Sequence, residues 1–293
     1  MVSPQCRRGG QSRHTRFIAW ICRSWPFRRV KLRRTPARGW HPSEHDHGHG
    51  YAYAELGGKS ANIVFDDANL DRAVGGAAAA IFSAAGQSCV AGSRLLVQRS
   101  AYDEVVSRLA DLASRITLGR PLDESTQVGP LQNSRQLEQV SRLVGAATGG
   151  SATAVHGGSP VDLDGGFCYP PTVLSGVGNT DEIARAEVFG PVVTAIPFDD
   201  EEHAVALAND TAYGLAGAVW TGSVDRAHRV AREVRAGTVW INSYKTINVM
   251  SPFGGFGDSG YGRSSGRDGL AEYTQAKSVW CETAADAPLP FGY

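Results

Sequence analysis

Apolar positions along this chain alternate between two periods. Residues 62–65 form a short run of strand length. From position 70 to 85, Leu70, Val74, Ala78, Ile81, Phe82 and Ala85 recur at helical spacing, which predicts a helix capped by Asp66-Asp67 and ended by Gly86. Arg94–Gln98 reads as the next strand. Residues 100–117 place Tyr102, Val105, Val106, Leu109, Leu112, Ala113 and Ile116 on one helical face, with Ser100 as the cap, before Gly119-Arg120-Pro121 breaks the pattern. A third helix is expected over 134–147, a short strand over 152–155, and a Gly/Asp-rich loop over 157–166. The strand at 169–174 carries Pro170-Pro171, which predicts an edge position. Strands at Val192–Phe198, 215–220 and Thr238–Ile241 alternate with helices at Glu201–Asn209 and 223–235. This order predicts an α/β fold with a largely parallel sheet and crossover helices.

Residues 1–54 depart from this grammar. They carry three of the six Trp, five of the eight His and two of the five Cys, with Arg in clusters and no amphipathic period. They hold 11 Lys and Arg against two acids, whereas the remainder holds 18 against 27, so the net charge of +0 conceals two segments of opposite sign. Four readings stand for the segment: a basic nucleic-acid arm, an Arg-rich transit peptide, a metal site at His41, His45, His47 and His49, and arbitrary coding joined to a genuine gene fragment. Its composition favours the last, and its like charge predicts that it lacks a stable fold. The chain is thus expected to divide into 1–54, a catalytic domain at 55–256 and a C-terminal loop and arm at 257–293.

The totals, with 42% hydrophobic and 20% charged residues, fit a globular protein. No apolar run approaches the ~18–20 residues of a membrane span. Five cysteines without CxxC or metal-ligand spacing suit a reducing cytoplasm and point to no metal site. Neither a nucleic-acid nor a membrane partner is expected of the acidic body.

Chemistry concentrates at the two ends of the first strand–helix–strand unit. Glu55 precedes the strand on a Gly-rich turn, and Cys89 lies in the loop after the helix, so a crossover can bring both to one sheet edge. A thiol of pKa about 8.5 attacks as its thiolate, and a neighbouring carboxylate can take a proton from the thiol or from a water. Such a pair suits acyl transfer through a thioester. Equally, a lone Cys can be a small buried side chain and a lone Glu a surface charge.

The motifs around the pair carry a resemblance. Glu55-Leu56-Gly57-Gly58-Lys59-Ser60 and Gly86-Gln87-Ser88-Cys89 resemble two signatures of the aldehyde dehydrogenase superfamily. The likeness continues through Arg185-Ala186-Glu187-Val188-Phe189-Gly190-Pro191-Val192, Tyr213-Gly214-Leu215, Gly237-Thr238-Val239-Trp240-Ile241-Asn242 and Pro252-Phe253-Gly254-Gly255. It implies an enzyme oxidising an aldehyde to a carboxylic acid with NAD or NADP, with Cys89 as nucleophile and Glu55 as the base that activates water. It further implies that Glu187 holds the nicotinamide ribose, that Phe189 packs beside the ring, that Gln136 touches ribose, and that Leu56 and Gly57 meet the nicotinamide through backbone. Asn242 is expected to satisfy backbone at a strand end. The segment 271–280 resembles the family's inter-subunit strand, implying a homo-oligomer.

Family members carry a complete cofactor-binding domain before the Glu-Leu-Gly-Gly motif. Here residues 1–54 stand in its place, so an incomplete dinucleotide-binding domain is expected, and with it little aldehyde oxidation by this chain alone. The alternatives are a non-catalytic fragment that pairs with full-length subunits, or a basic-arm nucleic-acid binder. Gly255-Phe256-Gly257-Asp258-Ser259-Gly260 satisfies G-x-G-x-x-G, but turn residues follow it where a dinucleotide fingerprint needs a helix.

Overall fold

The computed structural model describes residues 54–281 and residue 283. The readings offered for residues 1–53, including the four histidines, Cys6 and Cys22, lie outside the described residues.

In chain order the elements are β1 (Ala54–Glu55), β2 (Ala61–Val64), α1 (Leu70–Phe82), β3 (Arg94–Gln98), α2 (Tyr102–Ser114), α3 (Ser134–Thr148), β4 (Thr153–His156), β5 (Thr172–Ser175), α4 (Glu182–Arg185), β6 (Val192–Phe198), α5 (Glu201–Asn209), β7 (Ala216–Trp220), α6 (Val224–Glu233), β8 (Thr238–Ile241), β9 (Gly260–Tyr261) and α7 (Gly266–Ala271). Seven strands form one sheet in the order β4-β5-β6-β3-β2-β7-β8, parallel throughout except for the antiparallel β4–β5 pair. The α/β reading with a largely parallel sheet therefore holds.

Central strands of such a sheet are covered on both faces and read as continuous apolar runs rather than alternation. All four residues of β2 are buried, as are Leu95, Leu96 and Val97 of β3 and Val192, Val193, Thr194, Ala195 and Ile196 of β6. β4 instead alternates exposed and half-buried positions, as an edge does. The edge on this side of the sheet is thus β4, not the strand bearing Pro170-Pro171. The first ladder residue of β5 is Thr172, paired with Val192, so both prolines precede the strand and remove no ladder donor.

Three further expectations are corrected. The cap of α1 is Asn69, whose side-chain oxygen accepts from the Arg72 N–H at 3.1 Å, rather than Asp66-Asp67. Asp67 instead accepts from the Thr221 hydroxyl at 2.7 Å and pairs with Arg226. Nor does Ser100 cap α2. It lies in a 3₁₀ turn, and its hydroxyl donates to Asp66 at 2.7 Å. Finally, α1 stops at Phe82, four residues before Gly86, because Ala84, Ala85 and Gly86 turn left-handed (φ 54, 53 and 69°). Apolar spacing passes through that reversal unmarked, since Ala85 remains buried.

A second, two-stranded sheet pairs β1 with β9, placing Ala54 opposite Tyr261 and Glu55 opposite Gly260. The glycines at 255, 257 and 260 therefore serve a short 3₁₀ turn and this ribbon, with no helix opening on them.

Candidate active site

β1 and the extended turn after it carry Glu55, Leu56, Gly57, Gly58 and Lys59 to the sheet edge where the parallel strands begin. Ser259 anchors this turn from across the chain. Its hydroxyl donates to the Gly57 carbonyl at 2.7 Å and accepts from the Gly214 N–H at 3.0 Å, while its carbonyl accepts from the Leu56 N–H at 3.0 Å. Ser259 is fully buried. These bonds tie the segment beyond position 256 directly to the Glu55 turn.

Arg94 anchors the other end. The first residue of β3, it is 1% exposed, and its guanidinium donates to the carbonyls of Lys59 (3.0 Å), Leu207 (2.8 Å) and Ala208 (2.8 Å) and to the Asn179 side chain (3.1 Å). A buried charge with several acceptors is strongly held, and losing it strands every acceptor. Burial lowers the Arg94 pKa to about 10. Neither Ser259 nor Arg94 emerges from sequence reasoning. An Arg opening an otherwise apolar strand is a usable signal for the second.

The Cys89 loop reaches the same place from α1. A Cβ on Gly86 would overlap the Gly190 carbonyl oxygen, so the left-handed turn brings the Cys89 loop against the 186–191 loop. The Gln87 side chain accepts from the Gln132 N–H at 2.9 Å, and the Tyr244 hydroxyl donates to the Val90 carbonyl at 3.0 Å. A Cβ on Gly58 would overlap the Cys89 carbonyl oxygen, which puts the Glu55 turn and the Cys89 loop in direct backbone contact.

Cys89 is half-buried and free. Burial raises its pKa above the ordinary thiol value, and the Glu55 and Glu187 carboxylates raise it further, while the Val90 and Cys89 backbone N–H groups lower it. The fold thus brings both carboxylates within electrostatic reach of the thiol. Glu55 itself is exposed, and Leu56 is exposed beside it.

Glu187 follows the single turn of α4. One carboxylate oxygen accepts from the Gly58 N–H at 3.2 Å, and the other lies over Gly57, where any Cβ would overlap it. Burial raises its pKa, offset by the Gly58 bond and by Lys59. Phe189, half-buried, is left-handed at φ 54°. Gln136 is buried near the start of α3, and its amide nitrogen donates to the Val188 and Phe189 carbonyls, both at 2.9 Å. Where the resemblance implies a ribose contact, this side chain holds the backbone of the Phe189 loop. Asn242 meets its expectation, bonding both backbone groups of Thr221 at 3.0 Å.

Comparison with known proteins shows the family. The model of the aldehyde dehydrogenase family matches residues 47–279. The chain belongs to the aldehyde dehydrogenase family. It is 45% identical over 240 residues to a betaine aldehyde dehydrogenase of Mesorhizobium japonicum, covering 81% of this chain and 49% of that protein. It is 44% identical to an Acinetobacter baylyi dehydrogenase named for (Z)-2-((N-methylformamido)methylene)-5-hydroxybutyrolactone, covering 80% of this chain and 48% of that one. Among solved structures, a Burkholderia cenocepacia protein described as an aldehyde dehydrogenase aligns at TM-score 0.80 and 45% identity, covering 82% of this chain and 50% of that one. The NAD+ complex of a Bacillus cereus aldehyde dehydrogenase aligns at 0.78 and 41%, covering 80% and 48%. The chain therefore spans about half the length of the relatives it matches.

Proposed function

We propose that this aldehyde dehydrogenase chain oxidises an aldehyde to a carboxylic acid through a covalent Cys89 thioester. The observation that carries the proposal is the convergence of the Glu55 turn and the Cys89 loop, with two carboxylates acting on one thiol.

The sulfur adds to the aldehyde carbonyl carbon as its thiolate, forming a thiohemiacetal whose oxygen is met by the backbone donors of the Cys89 loop. NAD or NADP, held at its nicotinamide end by Glu187 and the Gly57-Gly58 turn, would supply the hydride acceptor that turns the thiohemiacetal into the acyl-enzyme thioester. Glu55 then removes a proton from water as the water attacks the acyl carbon. The C–S bond breaks, the carboxylic acid departs, and the sulfur returns to its starting state.

The residues present fit the nicotinamide end of such a cofactor. Glu187 keeps one carboxylate oxygen with no hydrogen-bond donor among the described residues, available to a ribose hydroxyl. The glycines at 57 and 58 leave a side-chain-free surface beside it, and Gln136 fixes the Phe189 loop. Leu56 and Gly57 would meet the nicotinamide ring through backbone, and Phe189 would pack beside it. Gln136 acts here as a positioning residue, not as a direct contact.

A reducing, cytoplasmic setting suits a thiol nucleophile, and no described helix is long and apolar enough to cross a membrane. A homo-oligomer is part of the same reading. In the segment after α7, Tyr273, Val279 and Trp280 are 91%, 79% and 93% exposed, an apolar strip suited to a second copy of this chain.

Ester hydrolysis tests the two catalytic roles without any cofactor. With p-nitrophenyl acetate the chain should release p-nitrophenolate, and Cys89→Ala should abolish this. Glu55→Gln should keep the initial acylation burst and slow the steady state by about 10²-fold or more. Hydrolysis unaffected by Cys89→Ala would overturn the assignment of the nucleophile.

A further inference from the structure

Lys245 lies in the loop that packs on the Cys89 loop and has no role in the chemistry above. It follows β8 in a loop held firmly to the Cys89 loop. The neighbouring Tyr244 donates to the Val90 carbonyl, the residue after Cys89, at 3.0 Å. The Tyr244 ring packs on Gly92 and lies 4.8 Å from the Trp240 ring, and the Trp240 indole N–H donates to the Thr246 carbonyl at 2.9 Å. Between these fixed points Lys245 is left-handed, at φ 56°, and half-buried.

Among the described residues no carboxylate forms an ion pair with Lys245. Burial lowers its pKa, and the charge that pulls it back up is that of Cys89. A half-buried cation with no carboxylate ion pair among the described residues, in a loop packed on the Cys89 loop and within electrostatic reach of the thiol, acts on whatever charge the substrate brings. Three relatives are named for betaine aldehyde, which carries a quaternary ammonium. An ammonium at this position opposes such a group.

We infer that Lys245 selects aldehydes bearing a carboxylate or similar anionic group a few carbons from the carbonyl, and disfavours cationic ones. Oxidation of such an aldehyde yields a dicarboxylate. The inference rests on Cys89 being the nucleophile, as proposed above.

Covalent capture at Cys89 reads the preference without turnover. In the unaltered chain, Cys89 alkylation by iodoacetamide is measured by mass spectrometry while 4-oxobutanoate, butanal or betaine aldehyde competes by reversible addition to the sulfur. Protection should require the least 4-oxobutanoate and the most betaine aldehyde. Separately, the ratio of Cys89 alkylation rates for iodoacetate and iodoacetamide should fall about threefold to tenfold in Lys245→Asn and be retained in Lys245→Arg. A shift in thiol pKa cancels in that ratio, and Asn tolerates the left-handed backbone. Added salt should lower the ratio in the unaltered chain. Equal protection by the three aldehydes, or an unchanged ratio in Lys245→Asn, overturns the inference and leaves the Cys89 reading standing. Failure of iodoacetamide to label Cys89 at all overturns both.

Discussion

At the scale of single residues, the thiol is held in check rather than primed. Two carboxylates and partial burial keep Cys89 protonated at pH values where an ordinary thiol would begin to ionise. This couples the nucleophile to occupancy of its surroundings, because any group that neutralises Glu187 or draws its charge away favours the thiolate. Glu187→Gln removes one negative charge near the sulfur, so the Cys89 pKa should fall. The pH–rate profile of iodoacetamide alkylation should move to lower pH, with faster labelling near neutrality. A profile that stays in place or moves upward would show that the Glu187 charge does not reach the thiol. Gln136 makes a related point about residue type. A buried amide with two backbone acceptors fixes a loop, whereas the same side chain on a surface could touch a ligand.

At the scale of elements, function depends on how helices and strands end. The turn after α1 reverses hand at Ala84, Ala85 and Gly86, and that reversal sends the Cys89 loop toward Glu187 instead of away along the helix axis. The start of α1 is set by Asn69, which satisfies an N–H that the helix itself cannot. Replacing Asn69 with Ala should cost about 1 kcal/mol in urea denaturation, whereas replacing Asp66 should not reproduce a capping loss of that kind. Arg94 joins elements that are distant in sequence. It bonds the turn before β2, the end of α5 and Asn179 through one guanidinium, so β3 places the Glu55 turn as well as pairing in the sheet.

At the scale of the whole molecule, an unusual feature of the interior is Lys59. It is 2% exposed, its ammonium has no hydrogen-bond partner, and burial together with Arg94 lowers its pKa to about 7. Its pKa in the unfolded chain is near 10.5, so between about pH 7 and 10 the unfolded state binds more protons than the folded one. This group's contribution to stability is fully present above the unfolded value and is lost as pH falls through the folded value. Stability should therefore rise from pH 7 toward pH 10 unless other groups oppose it. Lys59→Met should flatten that rise and raise the melting temperature at pH 7 and below. Thermal melts of both chains from pH 6 to 9.5 check this, and an unchanged slope in Lys59→Met would assign the pH dependence elsewhere.

Periodicity and motif alone determined that this is a parallel α/β protein, where β3, β6, α5 and β8 begin and end, and that Glu55 and Cys89 lie at the two ends of one crossover unit. Those features are local, set by side-chain spacing within a few residues, so a linear reading finds them. Only the tertiary structure decided that β4 and not β5 lies at an edge, that Asn69 and not Asp67 caps α1, and that Gln136 turns inward. It also decided that Ser259 and Arg94 hold the Glu55 turn and that Tyr244 ties the Lys245 loop to the Cys89 loop. Ser259 reaches the Gly57 carbonyl across 202 positions, and Tyr244, which places Lys245, reaches the Val90 carbonyl across 154. No local pattern encodes such a pairing. The sheet order that closes it arises when every strand buries its apolar faces at once, and the choice among acceptors for a buried polar side chain is made only then.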